Sequence, residues 1–308
     1  MLNVLEIVLP VFLVITLGYA IRRQGLVDGN FFVQVNQLVY YICLPLLLVY
    51  KIGGADFNAS FNLRLVLATS AAVGCCFCIA YLYGMWRKFP PPIHGSFCQG
   101  SFRGNLAYIG LAIVFNAYGD DGLTRAGILL GFLVPVLNFF AILALVLPGQ
   151  QRTSPTEIVK QIIMNPLILA SMLGIGWSYF HLPIPTILDR ALAIATGMTL
   201  PLALLSIGGG FSLEKLKGDL STAALATIMK LILLPLLTAL LMSFFSVSGL
   251  DFAIGLLMAG APTAVATYIM ACQMGGDGKL AGSIVMLATA LSALSYTLIL
   301  FFLKGAGM

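Results

Sequence analysis

Charge is what this chain has least of: 9% of its 308 residues are Asp, Glu, Lys or Arg, against 60% hydrophobic. A soluble domain carries about 25% charged residues, and one of this size could not cover its surface with so few. Lipid is therefore the solvent expected for much of the surface. Hydrocarbon admits only helices and closed barrels, because each backbone polar group must be satisfied internally. The apolar runs are ~20 residues or longer, not ~10-residue alternating stretches, so helices are expected. Other absences narrow the chemistry. Histidine is almost missing: His94 and His181 are the two present, both at expected span ends. Of six cysteines, Cys75, Cys76 and Cys78 share one helix, with no second Cys/His cluster to complete a metal site. There is no nucleophile motif, phosphate loop or dinucleotide fingerprint. The expectation is no cofactor, no metal and no enzyme. The net charge of +5 is dispersed, with no polybasic block to suggest nucleic acid. The first apolar run, Leu2 to Ile21, lacks a basic n-region and precedes Arg22-Arg23, so it is expected to remain as a first span.

What the chain does have is repetition. Shifted by 156 residues, Pro10 falls on Pro166, Gly18 on Gly174 and Leu44-Pro45-Leu46 on Leu200-Pro201-Leu202. Gly104 falls on Gly260, Gly119 on Gly275 and Asp121-Gly122 on Asp277-Gly278. Seven glycines coincide, where roughly two would by chance. Helix-breaking residues at matched depth in two halves of an apolar chain indicate an internally duplicated membrane transporter. Hydropathy accommodates ten spans, near 2–21, 31–50, 62–86, 94–117, 123–147, 158–180, 186–208, 219–245, 250–274 and 280–303. Residues 1–152 form the first five-span repeat and 153–308 the second. Five is odd, so the second repeat enters the membrane inverted. Loops after the odd spans hold nine basic residues (Arg22, Arg23, Arg87, Lys88, Arg152, Lys160, Lys215, Lys217, Lys279) and the other side holds five. The positive-inside bias puts the nine in the cytoplasm and both termini outside a cell membrane.

Spans 4 and 9 carry the chemistry. Span 4 reads Ser101-Phe102-Arg103-Gly104-Asn105-Leu106-Ala107-Tyr108, and span 9 reads Gly260-Ala261-Pro262-Thr263-Ala264-Val265-Ala266-Thr267. Gly104 breaks one span at its middle; Gly260 and Pro262 break the other. A broken membrane helix frees backbone groups and exposes half-helix termini, so two crossed breaks make an anion seat. Arg103, near mid-span, is costly in hydrocarbon unless used. It is expected to draw a carboxylate or to stand in for a bound cation. Asn105 can donate to a carboxylate or cap a half-helix. Thr263 and Thr267 offer hydroxyls, or bond their own i−4 carbonyls. Pro45 and Pro201 are matched breaks in spans 2 and 7. Asp121 and Asp277 read as helix caps, and Lys230 as a second buried cation, used structurally or snorkelling to a span end.

These residues resemble the auxin efflux carrier family, which includes plant auxin exporters and bacterial malate or malonate permeases. Phe102-Arg103-Gly104-Asn105 running to Gly110, Ala261-Pro262-Thr263-Ala264, Leu44-Pro45 and the ten-span layout carry the likeness. The resemblance implies a bile-acid-symporter-like fold with elevator movement: crossed broken helices, a scaffold of spans 1, 2, 6 and 7, and a mobile unit of spans 3–5 and 8–10. It also implies that Asn105 contacts the substrate carboxylate and that Pro262 is the span-9 crossover proline. Plant members have proline where Gly104 stands, an apolar residue at Arg103, an acidic residue at Gln273 and a long central loop; these departures favour a prokaryotic organic-anion carrier.

The expected function is secondary transport of a small carboxylate, a dicarboxylate or an auxin-like monocarboxylate. The expected substrate contacts are Arg103, Gly104, Asn105, Tyr108, Pro262, Thr263 and Thr267. The partners are that carboxylate and the bilayer; a homodimer is allowed and not required. Sodium- or proton-coupled symport is the nearest alternative, and a ligand receptor that moves nothing is the alternative from another class.

Overall fold

A computed structural model describes residues 2–149, 164–211 and 219–307. Its regular elements are all helical: α1 Leu2–Arg23, α2 Gly29–Leu38, α3 Leu44–Gly53, α4 Phe57–Ser60, α5 Leu63–Trp86, α6 Pro91–Phe102, α7 Leu111–Gly149, α8 Pro166–Tyr179, α9 Thr186–Gly197, α10 Thr199–Gly210, α11 Leu220–Ile228, α12 Leu234–Phe244, α13 Gly249–Ala259, α14 Val265–Gln273 and α15 Gly278–Gly305. Three π-turns, Val39–Cys43, Leu106–Gly110 and Met229–Leu233, lead into α3, α7 and α12. Among the described residues, seven helical stretches are long and apolar enough to cross a membrane: Val4–Arg23, Gly29–Gly53, Leu63–Trp86, Leu106–Gly149, Thr186–Gly210, Leu220–Phe244 and Gly278–Gly305. Two shorter apolar helices are Pro166–Tyr179 and Gly249–Ala259. The chain is thus an all-helical, multi-span membrane protein. The loop cations Arg152, Lys160, Lys215 and Lys217, the repeat boundary at 152/153 and the start of the expected sixth span lie outside the described residues.

Local chemistry sets the helix ends. Asp28, Asn165, Asp219 and Asp277 each accept from a backbone N–H of the following first turn, at 2.9–3.0 Å; this is the N-cap bond that satisfies an otherwise orphaned donor. Asp277 is therefore the cap its sequence suggests. Asp121 is not: it pairs with Arg125 one turn on, at 3.2 Å. The interruption there falls earlier, at Gly119, whose φ of 61° only glycine adopts cheaply. Helix ends recur in kind. Gly25 closes α1 with its N–H on the Arg22 carbonyl and Leu26 on Ile21; His181 closes α8 with its N–H on Ser178 and Leu182 on Trp177. Lys88 after α5 and Ser246 after α12 make the same paired bonds, the Schellman arrangement that consumes free carbonyls. The closing residues all have φ between 49° and 71°.

Two compact units emerge, each discontinuous in sequence. The first holds Met1–Asn62, Ala107–Val134 and Ile163–Phe211; the second holds Leu63–Leu106, Pro135–Ile162 and Ser212–Met308. Within the first, α1 packs on α10 and α3 on α8, with α10 also against α2 and α9 against α3. Glycine makes the α1–α10 approach possible: a Cβ on Gly18 would run into the Leu205 carbonyl, and one on Gly208 into that of Ile15. Small residues at such crossings replace the hydrophobic drive that lipid cannot supply. Pro45, the second residue of α3, follows a π-turn, and Pro201 sits in the first turn of α10 beyond the bend at Met198. Both prolines thus mark helix junctions. The Thr199 hydroxyl donates to the Cys43 carbonyl at 3.2 Å. Within the second unit, α5 packs on α12, α6 on α5 and α11, and α13 on α12 and α5, while α15 runs beside α6, α11 and α14. Phe77, Phe102 and Phe140 form an aromatic cluster, with ring centroids 4.9–6.4 Å apart.

Candidate functional site

The two broken helices of the second unit meet at their breaks. α6 ends at Phe102, after which Arg103 is extended with ψ 96°. α13 ends at Ala259, and the chain stays non-helical through Ala264 before α14 begins. Gly104 and Thr263 form an antiparallel bridge. The Asn105 N–H donates to the Pro262 carbonyl at 2.7 Å, and the Ala264 N–H donates to the Arg103 carbonyl at 2.9 Å. Each broken segment thereby completes the other's backbone, which non-helical chain within apolar protein must do.

The carbonyls freed at the two half-helix ends also find donors. Thr263 Oγ1 donates to Gly100 O at 2.9 Å, Cys76 Sγ to Ser101 O at 3.4 Å, and Lys230 Nζ to Ala259 O at 2.7 Å. Thr263, fully buried, thus spends its proton on architecture. Pro262 has no N–H to offer and contributes its carbonyl to the bridge.

Beside the bridge lies a polar cluster. Arg103 Nη2 donates to Asn138 Oδ1 at 2.8 Å, and its Nη1 approaches Met270 Sδ. Gln99, one turn before Arg103 and fully buried, donates to the same sulfur at 3.6 Å. Met270 is three residues after Thr267, so both lie on one face of α14. Gln99 Oε1 and Thr267 Oγ1 are buried oxygens with no partner among the described residues. The Asn105 side-chain amide, 9% exposed, likewise engages none of them. Buried polar groups are rarely left unpaired, and these two oxygens belong to Gln99, which shares the Met270 sulfur with Arg103, and to Thr267, one turn before that methionine. Guanidinium and carboxamide N–H groups are donors of the kind a carboxylate accepts from.

Of the residues expected from sequence, the second unit brings together Arg103, Gly104, Asn105, Pro262, Thr263 and Thr267. Gly260 sits at the end of α13, where a Cβ would strike Ile299. Tyr108 belongs to the first unit, where its hydroxyl donates to Asn36 Oδ1 at 2.8 Å. The sequence gives little sign of Gln99, Asn138 and Met270. A lone amide in an apolar helix was the available signal for the first two; nothing marked the methionine. Among the described residues no His, Cys, Asp or Glu group is placed to hold a metal. A separate cleft in the first unit, of about 430 Å³, is lined by Tyr50, Lys51, Asp56, Asp120 and Asp189. Its charges are largely engaged, Lys51 with Asp120 and Tyr50 with Asp189.

Comparison with known proteins shows the family. The family described as membrane transport protein matches residues 3–156 and 150–300. An uncharacterized transporter of Methanothermobacter thermautotrophicus is 24% identical over 95% of this chain and 96% of its own length. Another from Methanocaldococcus jannaschii is 24% identical over 94% of this chain and 96% of its own. A protein of Rhizobium meliloti named "Putative malonate transporter" is 22% identical over 100% of this chain and 98% of its own. With full-length membrane transporters as its relatives, the chain is a transporter and not an enzyme, and it belongs to the membrane transport protein family, that of the auxin efflux carriers.

Proposed function

We propose that this protein is a secondary transporter of a small organic carboxylate, working by elevator-type alternating access. The carrying observation is a guanidinium, Arg103, held by Asn138 and Met270 at bridged helix breaks, with Asn105 two residues on and the unpartnered Thr267 hydroxyl one turn before Met270. In this reading Arg103 draws the anion, Asn105 and Thr267 complete its hydrogen bonds, and Gly104 and Pro262 keep the breaks open. The Rhizobium relative's name supports a dicarboxylate as the first substrate to try.

Packing supports ten spans arranged as five plus five. Exchanging spans 1–5 with 6–10 turns the α1–α10 contact into α8–α3, α5–α6 into α12–α13, and α6–α11 into α13–α5, all of which occur. Such reciprocity is the property of a two-fold relation. Left-handed residues at Gly25 and His181, and at Gly119 and Gly275, recur at the 156-residue offset. Spans 1, 2, 6 and 7 all fall in the first compact unit, which supports their role as scaffold. Residues 107–134 join that unit too, so the contact division and the proposed moving unit, spans 3–5 and 8–10, are not identical. The cytoplasmic placement of the basic loops, with both termini outside the cell membrane, rests on the charge bias alone.

The test is malonate uptake into proteoliposomes, with midpoint shifts of the purified protein on adding malonate, malate, succinate or acetate. A ligand at 100 times its Kd stabilises by about 2.7 kcal/mol. Arg103→Gln and Asn105→Ala should abolish both responses while the unliganded midpoint stays near wild type. Binding without flux would make the protein a receptor; wild-type behaviour of both variants would remove the seat.

A further inference from the structure

Lys230 is the one Lys or Arg fully buried among the described residues. It lies in the π-turn Met229–Leu233, midway along a continuous apolar stretch from Leu220 to Phe244. It does not snorkel. Its ammonium donates to the carbonyl of Ala259, the last residue of α13. A Cβ built on Gly104 would lie 3.3 Å from Lys230 Cε and 3.4 Å from Nζ. Gly104 follows the end of α6 by two residues. One ammonium is therefore bonded to the chain at one break and lies beside the other.

That place is electrostatically particular. A helix C-terminus carries roughly half a negative charge, and two of them end here. Unwound carbonyls and half-helix C-termini are the groups with which transporters hold a monovalent cation at such a break. In this chain one of those carbonyls is already held by a covalently attached monovalent cation, and Gly104 leaves room for its stem.

We infer that Lys230 is the resident cation of the crossover: its ammonium fills the monovalent-cation seat made by the two helix ends, so that carboxylate transport by this chain needs no sodium. The inference rests on the transport reading above and narrows it, setting sodium symport aside. It also gives Gly104 a second duty, since a Cβ there would crowd the lysine stem at Cε, 3.3 Å away, and the Leu106 side chain, 3.0 Å away.

Two measurements test it. In proteoliposomes, wild-type malonate uptake should be unchanged when sodium is replaced by potassium or choline on both sides, and an inward sodium gradient should not increase accumulation; a several-fold increase would overturn the inference. In detergent, Lys230→Ala vacates the seat. Its unfolding midpoint should rise on titrating sodium, lithium or methylammonium chloride, while that of the wild type and of Lys230→Arg should not respond beyond a choline chloride control. A Lys230→Ala midpoint indifferent to all three cations would overturn the seat. A protein that moves no carboxylate would sink the transport reading alone, because the cation titration needs no substrate. Should Lys230→Ala not be recoverable, Lys230→Ser is titrated in its place, with choline as the growth-medium and purification cation against sodium; equal recovery in both counts against the seat.

Discussion

Gly208→Ala is the sharpest test of how the first unit is built. The Cβ it adds would fall on the Ile15 carbonyl of α1 and within 2.9 Å of the Tyr19 nitrogen. An ordinary non-bonded contact is about 3.5 Å, and the neighbour is backbone, which no rotamer change can move aside. α1 and α10 must part, loosening the packing beside Gly18 as well. Overpacking of this kind costs about 1–3 kcal/mol. At ~2–4 °C per kcal/mol for chains of this order of size, the unfolding midpoint in detergent should fall by roughly 2–12 °C. Gly176→Ala, inside α8, is the control: nothing lies within 4 Å of its added Cβ, and glycine costs a helix interior roughly 0.5–1 kcal/mol relative to alanine. The midpoint of that variant should hold or rise. If Gly208→Ala is as stable as wild type, or the two variants behave alike, the close approach of α1 and α10 is not as described.

Thr263→Val keeps the shape of the span-9 break but strips the donor from the Gly100 carbonyl, so it should cost about 1–3 kcal/mol of stability, read as a lowered midpoint; an unchanged midpoint would mean the hydroxyl is not needed there. Asn138→Leu removes the acceptor that orients Arg103, and should weaken malonate binding about 10-fold, the equivalent of one ordinary hydrogen bond; wild-type affinity in that variant would mean the bond does not position the guanidinium. Asp219, at a helix start outside the membrane-spanning stretch, accepts from Thr222 and Ser221, and these bonds hold its carboxyl below the ordinary carboxylate range. A depressed pKa stabilises above the unfolded value and is lost as pH falls through the folded one, so Asp219→Ala should lower stability by ~1 kcal/mol near neutrality and match wild type in strong acid, while Asn should cap nearly as well as Asp.

Much of this was written in the sequence, and the reasons differ by feature. The breaks at Gly104 and Pro262 were legible because each residue denies the helix something local: a side chain's restraint on φ, or an N–H. The matched left-handed turns were half legible. Gly119 and Gly275 announce themselves, but His181 stands where Gly25 does in the first half and gives no hint of a positive φ. The π-turns have no composition signal, so Lys230 read as a cation that could reach a span end. The inserted residue alters the rotation of the helix, and the side chain turns to the Ala259 carbonyl instead. Gln99, Asn138 and Met270 come from three different helices. Their convergence on Arg103 is tertiary, and periodicity along one helix cannot reveal it.

The bridge at Gly104 and Thr263 joins main chain to main chain. Fastening of that kind is indifferent to the identity of the neighbouring side chains. The residues proposed to hold the carboxylate, Arg103, Asn105 and Thr267, can therefore be exchanged one by one while the frame around them keeps its form. Within such a lineage, changes of cargo should come cheaply, by single substitutions at these few positions, and changes of architecture hardly at all.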